Sequence, residues 1–181
     1  GPFMAKGDVN SDGYEDFFIG GSAGFSGTLY MQNHDGNFMV SKDQPWERDK
    51  SSEDMGILFF DFDNDEDLDI YIVSGGNEFE KNNKLLQDRL YINDGKGKFT
   101  KALHILPKML SSGSCVKAAD YDNDGDLDLF VGGRIVPGTY PFAPKSFILN
   151  NKNGTYTDVT KTIAPDLQYA GMVTDATWTD I

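Results

Sequence analysis

The sequence predicts an all-β fold assembled from β-propeller blades, and two observations carry that prediction. An aspartate-rich segment recurs at Asp8, Asp61 and Asp120, with spacings of 53 and 59 residues. Between these segments lie only short runs of β-branched and aromatic residues, separated by turns of Gly, Asn and Asp. Four short strands repeated at such a period are typical of propeller blades.

Each repeat unit shows the same order of elements. A strand-like stretch leads into the acidic segment, and a second apolar run that ends in glycine follows it. A third strand and a turn with an aromatic residue complete the unit, so we expect four antiparallel strands per blade. In chain order, the second strands, third strands and closing turns lie at 17–21, 28–33 and 35–38, then at 70–76, 89–94 and 95–99, and finally at 129–133, 146–151 and 152–156.

The whole chain, residues 1–181, is predicted to be one partial propeller. Helical periodicity is poor, so 42–54 and 78–88 are predicted loops, and 101–113 is expected to hold at most one helical turn. Because a closed propeller needs at least four blades, we expect a fragment of a larger propeller, or an open stack covered by another copy. The expected units are blade 1 at about 1–50 with its first strand at Phe3–Lys6, blade 2 at about 51–110, blade 3 at about 111–168, and the first strand of a fourth blade at about 171–181, where Asp180 starts a further repeat.

The net charge of −13 is concentrated in three nine-residue loops, which hold 15 of the 29 Asp and Glu residues. We name them loop 1 (8–16), loop 2 (61–69) and loop 3 (120–128). A chain this acidic is not expected to bind nucleic acid or an anionic membrane, because those surfaces are bound through Lys and Arg. The single cysteine, Cys115, excludes an intrachain disulfide and a Cys-rich zinc site, and no apolar run is long enough to span a membrane. Clustered like charges cost energy unless a counter-ion is held there, so the loops indicate a bound cation.

The loops place oxygen donors at alternating positions. Positions 1, 3, 5 and 9 are Asp or Asn in every loop, and alternate side chains point inward when a chain curls around a point. Position 7 varies, as expected if only its backbone carbonyl binds the ion. The predicted metal ligands are Asp8, Asn10, Asp12, Tyr14 and Asp16 in loop 1, Asp61, Asp63, Asp65, Asp67 and Asp69 in loop 2, and Asp120, Asp122, Asp124, Asp126 and Asp128 in loop 3.

Calcium suits this donor set. Ca²⁺ takes about 6–8 hard oxygens in flexible geometry, whereas Mg²⁺ needs a tighter octahedron and Zn²⁺ favours His or Cys. We therefore predict three Ca²⁺ sites. Loop 2 departs from the pattern, because Glu66 stands where the other loops have Gly13 and Gly125, and a positive φ there would strain it.

The loops allow two other interpretations. An EF-hand begins in the same way but needs a bidentate Glu at position 12 and flanking helices, whereas position 12 here is Ile19, Ile72 or Val131 within a strand pattern. The second interpretation is that Asp and Asn simply favour turns. Three copies in register, each between apolar strands, argue against that explanation.

The motif of an apolar strand, D-x-[DN]-x-D-G-x-x-D, a second apolar strand and Gly-Gly resembles the FG-GAP and VCBS repeats. These repeats form the calcium-bearing blades of integrin α-subunit-like, seven-bladed propellers. The resemblance implies that positions 1, 3, 5 and 9 are calcium ligands in the loop between the first two strands of each blade, and that about three or four blades are missing. The run at 172–181 is also similar to propellers found beside ASPIC/UnbV domains in bacterial surface proteins.

The preferred functional hypothesis is a calcium-stabilised scaffold for binding or adhesion, not an enzyme. Structural Ca²⁺ sites suit the calcium-rich exterior, so we expect a secreted or cell-surface location, which includes a bacterial periplasm or outer surface. The partner is an unidentified protein or glycan. We expect it to contact loops such as 42–54, which carries Trp46 as a candidate ligand platform, 77–88 and 134–146.

Two alternatives stay open at this point. One is a propeller-type glycan hydrolase or lyase, in which carboxylates outside the three loops, such as Glu47, Glu78 and Asp166, would do the acid–base chemistry. The other is a purely structural segment of a larger surface protein, whose function lies elsewhere.

Overall fold

The structure is a computed structural model that describes residues 3–179. These residues form three four-stranded antiparallel sheets, each built from four strands that are consecutive in the chain. The prediction of all-β, propeller-like blades is therefore confirmed. The strands are β1 (Met4–Gly7), β2 (Asp16–Ile19), β3 (Thr28–Gln32) and β4 (Phe38–Val40) in blade 1, β5 (Glu53–Phe60), β6 (Asp69–Gly75), β7 (Arg89–Asn93) and β8 (Phe99–Lys101) in blade 2, and β9 (Ser112–Ala119), β10 (Asp128–Ile135), β11 (Phe147–Asn151) and β12 (Tyr156–Asp158) in blade 3.

The three blades share one register. In blade 1, Phe18 at the centre of β2 lies opposite Ala5 on β1 and Leu29 on β3. The second blade repeats this row with Tyr71 opposite Leu58 and Leu90, and the third with Phe130 opposite Lys117 and Ile148. Residues at matching positions of the repeat can therefore be compared directly between blades.

Successive blades meet along their first strands. Strand β1 packs beside β5, and β5 packs beside β9, so the first strands line one side of the molecule. The core lies between the blades, in two apolar seams. The first seam comprises Val9, Phe18, Leu29, Trp46, Ile70, Ile72, Tyr91 and Phe99, and the second comprises Phe60, Phe62, Tyr71, Val73, Leu90, Met109, Val116, Leu129, Val131, Phe147, Leu149 and Tyr156.

Trp46 is not the exposed ligand platform that the sequence suggested. Its indole is buried in the first seam, with its ring 5.0 Å from that of Phe18 and 5.6 Å from that of Tyr91. The reason is a 3₁₀ turn at Pro45–Asp49, closed by reciprocal hydrogen bonds between Gln44 and Glu47, which points the side chain inward. A polar linker therefore carries one core residue.

The remaining helical turns are short and lie between strands. They are Lys84–Leu86 (3₁₀), Thr160–Ile163 (α1) and Pro165–Tyr169 (3₁₀). The turn allowed for 101–113 does not form, since that stretch is the end of β8 followed by irregular chain up to β9. No helix in residues 3–179 is long and apolar enough to cross a membrane.

Residues 171–179, predicted as the first strand of a fourth blade, form no strand. Asp180, the predicted start of a further repeat, lies outside the described residues. The segment runs along blade 3 in extended form, where the Val173 amide donates to the Gly133 carbonyl at 2.9 Å. A β-ladder needs a partner strand, and the described part of the chain supplies none for this segment.

The extended segment nevertheless occupies the place at which a next blade would begin. At the start of blade 2, the Asp54 amide donates to the Gly21 carbonyl at 2.9 Å, as Val173 does to Gly133 after blade 3. The segment also covers Phe130 and Ile148 of blade 3, which are 8% and 6% exposed. Blade 3 is thus shielded on its outer face.

Candidate metal centres

Each acidic loop joins the first and second strands of its blade, as the resemblance implied. Loop 1 runs from the end of β1 into β2, loop 2 from β5 into β6, and loop 3 from β9 into β10. Because the blades share one register, the three loops repeat the same internal hydrogen bonds. Their geometry can therefore be described position by position.

The aspartate at position 1 closes the loop on itself. One carboxylate oxygen accepts the backbone N–H of position 5, and the other accepts that of position 6. In loop 1 these two bonds to Asp8 measure 3.1 and 2.8 Å, from Asp12 and Gly13. The equivalent distances are 3.2 and 3.0 Å to Asp61 in loop 2, and 3.1 and 3.0 Å to Asp120 in loop 3.

Positions 3 and 5 bring further carboxylates beside position 1. Among the described residues, Asp61, Asp63 and Asp65 each offer an oxygen within 4.8 Å of the others, and loop 3 repeats this group. Partial burial raises the pKa of Asp63, and repulsion from Asp65 and Asp61 raises it further. The loop 3 group consists of Asp120, Asp122 and Asp124.

Loop 1 differs, because Asn10 replaces the acid at position 3. Its amide Nδ2 donates to Asp12 Oδ2 at 3.0 Å, and its carbonyl oxygen accepts the Asp12 N–H at 3.2 Å. The neutral amide therefore gives one carboxylate of the loop a hydrogen bond and adds no negative charge of its own. Loop 1 carries less uncompensated negative charge than the other two.

The side chain at position 7 turns away from the loop in blade 3. Asp126 accepts the Asn153 N–H at 3.1 Å and the Asn64 side-chain amide at 3.1 Å. Tyr14, at the same position of loop 1, is 39% exposed. The side chain at position 7 therefore has different surroundings in different blades, and the contribution of its backbone carbonyl to a cation site stays a prediction.

The aspartate at position 9 is buried, unlike the other acids of the loops. Asp69 accepts the Phe62 N–H at 3.0 Å and the Asn93 N–H at 2.8 Å, so it ties loop 2 to the end of the third strand. Asp16 and Asp128 repeat both bonds in their own blades. Burial raises the pKa of all three, that of Asp69 to about 7, because a charged carboxylate loses its hydration there. Their role as metal ligands stays a prediction.

The backbone at position 6 takes the left-handed conformation in every loop. Gly13 and Gly125 have φ values of 88° and 94°, and Glu66 adopts 70°. A side chain at such a φ costs roughly 1–2 kcal/mol. Loop 2 therefore keeps the same turn as its neighbours despite the strain anticipated at Glu66.

The residue at position 4 also has a positive φ, which sequence reasoning missed. Ser11, Asn64 and Asn123 adopt 57°, 62° and 58°. Asn is among the non-glycine residues that tolerate this region best, so the two asparagines were a usable signal.

Two of the three carboxylates named for an enzymatic alternative have local hydrogen-bond partners. Glu47 Oε1 accepts the Gln44 N–H at 3.1 Å and stabilises the turn that carries Trp46. Glu78 accepts the Asn77 N–H at 2.9 Å and lies beside Glu53, whose pKa is raised by burial and by the Glu78 carboxylate. The third, Asp166, lies in the turn Pro165–Tyr169.

The donor set of the loops fits a hard divalent cation. It consists of carboxylate, amide and carbonyl oxygens, without a histidine or cysteine in any loop. The group of three carboxylates in loops 2 and 3 leaves negative charge that their backbone hydrogen bonds do not balance. Calcium is the ion that this chemistry favours.

A family model described as FG-GAP-like repeat matches the chain twice, over residues 8–72 and 61–131. The two matches overlap and together cover more than half of the chain, including loops 1, 2 and 3. No curated protein matches the chain significantly.

Proposed function

Since the chain belongs to the FG-GAP-like repeat family, we propose that this β-propeller-like scaffold is stabilised by calcium and serves in extracellular binding or adhesion. The observation that carries the proposal is the convergence of three carboxylates within 4.8 Å in loops 2 and 3. Loop 1 supplies the same positions with one amide in place of an acid. A bound Ca²⁺ would neutralise the negative charge on the oxygens of positions 1, 3 and 5. The oxygens of positions 7 and 9 are predicted to complete its coordination.

The calcium would act on the fold and not on a reaction. Position 9 already ties each loop to the third strand of its blade, and positions 1 and 5 accept backbone N–H groups within the loop. Neutralising the clustered charge removes the main electrostatic cost of this arrangement. A ligand that binds only the folded state stabilises that state by mass action.

Partner contacts are proposed on the loops at the opposite ends of the strands. The stretches 77–88 and 134–146 meet there, where the Gly138 N–H donates to the Asn77 side chain at 2.9 Å. Tyr140 and Phe142 are 75% and 69% exposed beside this contact. Exposed aromatic side chains on an ordered loop are suited to contacts with a protein or a glycan.

A second contact surface is the outer face of blade 1. In blade 2, the side chains at the equivalent register positions are buried, being only 0–3% exposed. In blade 1, by contrast, Ile19 and Phe38 are 36% and 46% exposed. Since the blade 2 face is covered by the preceding blade, the blade 1 face suits a further blade of the same kind, from additional repeats or another copy. The blade 1 face comprises Phe17, Ile19, Tyr30 and Phe38, and its counterparts are Ile70, Ile72, Tyr91 and Phe99.

The proposed location is secreted or on the cell surface, where calcium is abundant. We propose a non-catalytic protein, because Glu47 stabilises the turn that carries Trp46 and the clustered acids of the loops are assigned to the cation. A link to ASPIC/UnbV domains stays a prediction from the resemblance.

Calorimetric titration and thermal melts test the proposal. We expect three Ca²⁺ ions per chain and a higher melting temperature in millimolar Ca²⁺ than in EDTA. D12N should remove one site, whereas E15Q should remove none, because Glu15 lies in the same loop but pairs with Lys6 at the surface, 2.7 Å away. An identical melt with and without calcium would count against the proposal.

A further inference from the structure

A buried chain of hydrogen bonds connects loop 1 to loop 2 across the first seam. The Val9 N–H donates to Asp16 at 3.0 Å, and the Val9 carbonyl accepts the side-chain amide of Asn93 at 2.7 Å. The backbone N–H of Asn93 donates in turn to Asp69 at 2.8 Å. The backbone of one residue, Val9, and one asparagine therefore separate the position 9 carboxylates of two neighbouring loops.

The same connection recurs across the second seam. The Phe62 N–H donates to Asp69 at 3.0 Å, and the Phe62 carbonyl accepts the side-chain amide of Asn151 at 3.5 Å. The Asn151 N–H donates to Asp128 at 2.8 Å. All residues that take part in these two series of hydrogen bonds are buried, each being at most 6% exposed.

Asn93 divides its two side-chain functions between its own hairpin and the neighbouring blade. Its carbonyl oxygen accepts the N–H groups of Asp94 and Gly97, which hold the β7–β8 turn. The amide nitrogen reaches Val9 in blade 1 and also the Leu68 carbonyl of loop 2, at 3.1 Å. A turn alone needs only the oxygen, so the inter-blade bond is a separate feature.

We propose that Asn93 and Asn151 couple the three cation loops, so that a cation held in one loop raises the affinity of the next. The inference rests on the proposed calcium binding and adds a regulation that equal, independent sites would lack. Ordering of a loop fixes its position 9 carboxylate and position 2 peptide, and the asparagine passes that constraint to the adjoining loop. Such coupling is reciprocal by thermodynamic necessity.

The first seam offers the sharper test. Within residues 3–179, the bond from Asn93 is the one hydrogen bond that joins loop 1 to blade 2. The second seam has an additional exposed route, since the Asn64 side chain donates to Asp126 of loop 3 at 3.1 Å. The titration is therefore done in a D122A protein, in which loop 3 is disabled and only loops 1 and 2 take up calcium. Alanine is used because loop 1 carries Asn10 at position 3, so an asparagine there would leave the oxygen donor in place.

In that background, the Ca²⁺ affinity of loop 1 is measured by calorimetry with loop 2 intact and with loop 2 disabled by D63A. We expect D63A to weaken Ca²⁺ binding by loop 1 about fivefold, the lower end of typical coupling energies. With N93S added, which keeps a hydroxyl acceptor for the turn but cannot reach Val9, D63A should leave the affinity of loop 1 unchanged. The matched control is Q32S, because Gln32 holds the same register position in blade 1, and it should preserve the fivefold effect.

The outcomes separate the coupling from the calcium binding on which it rests. Equal loss of affinity with and without N93S, or no loss in either, overturns the coupling. Absence of calcium uptake in every variant, including the unmodified chain, overturns the proposed function and the coupling with it.

A second measurement does not depend on the folding of the N93S protein. In a D12N protein, where loop 1 is disabled, calcium loading of loop 2 should slow hydrogen exchange in residues 8–16. Unchanged exchange in this segment, while exchange in residues 61–69 slows, would contradict the coupling.

Discussion

Two kinds of aspartate share each acidic loop, and they differ in what balances their charge. Asp69, at position 9, is 1% exposed and accepts two backbone N–H groups from different parts of blade 2. Asp63, at position 3, has an exposed side chain whose pKa is raised first by partial burial and then by the other carboxylates around it. One acid is a determinant of the fold, and the other is an unbalanced charge that calls for a counter-ion.

The difference explains why the same motif can be both a turn and a cation site. The interpretation that Asp merely favours turns describes positions 1, 5 and 9, whose oxygens accept backbone N–H groups. It gives no reason for a fourth acid at position 3, since repulsion from neighbouring carboxylates destabilises that residue in the absence of a cation. The predictions below separate the two roles by substitution.

The largest effect is expected for D69A. It removes the acceptor of the Phe62 and Asn93 N–H groups, and each buried donor left unpaired costs about 1–3 kcal/mol. We expect a loss of about 3 kcal/mol in the free energy of unfolding in EDTA, and a larger loss in calcium, because position 9 is also a predicted ligand of the cation. Urea denaturation in both buffers measures this, and a loss seen only in calcium would assign Asp69 to the cation instead of the fold.

D63A is the matched substitution at position 3, the exposed aspartate of the same loop. In EDTA it should leave stability unchanged or raise it slightly, because it removes a repelled charge. In calcium at a hundredfold excess over Kd, it should forfeit about 2.7 kcal/mol, the stabilisation that one occupied site provides. If the denaturation curves of D63A and of the unmodified chain coincide in calcium, position 3 is not a ligand of the cation.

Much of this arrangement was predictable from the sequence. The repeated loops, the apolar runs and the closing turns predicted three four-stranded blades, because short strands with period-2 patterns and turn residues at fixed offsets are local signals. The left-handed backbone at Glu66 was also anticipated from Gly13 and Gly125 in the other loops. A sequence repeat reveals backbone conformation because equivalent positions in the repeats can be compared with one another.

Contacts between blades were not predictable in the same way. The inward turn of Trp46 depends on a capping interaction within a polar linker, and the bond from Asn93 to Val9 joins residues far apart in the chain. Within blade 2, the buried ion pair of Arg89 with Asp54, at 2.6 Å, also joins residues far apart in the chain and forms only when β5 and β7 are assembled. The asparagines at 93 and 151 were a possible signal of contacts between blades. Asparagine is also common in turns, however, so their presence in the sequence already had a local explanation.

A smaller effect is expected where the loops themselves differ. E66G should stabilise the chain by about 1 kcal/mol in EDTA, because glycine relieves the positive φ of 70° and one acid leaves a crowded loop. The reciprocal change, G125A in loop 3, should destabilise by a similar amount. No atom lies within 4 Å of the added methyl group there, so the cost would be conformational and not steric. Thermal melts of both proteins measure the pair, and equal signs for the two changes would contradict the comparison.

The smallest effect concerns a buried carboxylate outside the loops, which tests whether burial alone accounts for the behaviour of position 9. Burial raises the pKa of Asp88 to about 7, although N–H and O–H donors from Ser74 and Tyr71 oppose the rise. The folded-state pKa lies above the unfolded value, so the folded chain binds the proton more tightly. In EDTA this group therefore adds stability as pH falls from 8 towards 5, and that contribution is lost as pH rises through 7.

D88N should flatten this slope, by less than the limit of about 1.4 kcal/mol per pH unit for one proton. Y71F should instead move the midpoint to higher pH, because the ionised carboxylate loses the 2.8 Å bond from the tyrosine hydroxyl. Denaturation midpoints at half-unit steps from pH 5 to 8 measure both. If D88N leaves the slope unchanged, burial is not what raises these carboxyl pKa values. The raised pKa of Asp69 would then have to come from its charged neighbours in loop 2. In that case burial would not distinguish position 9 from position 3.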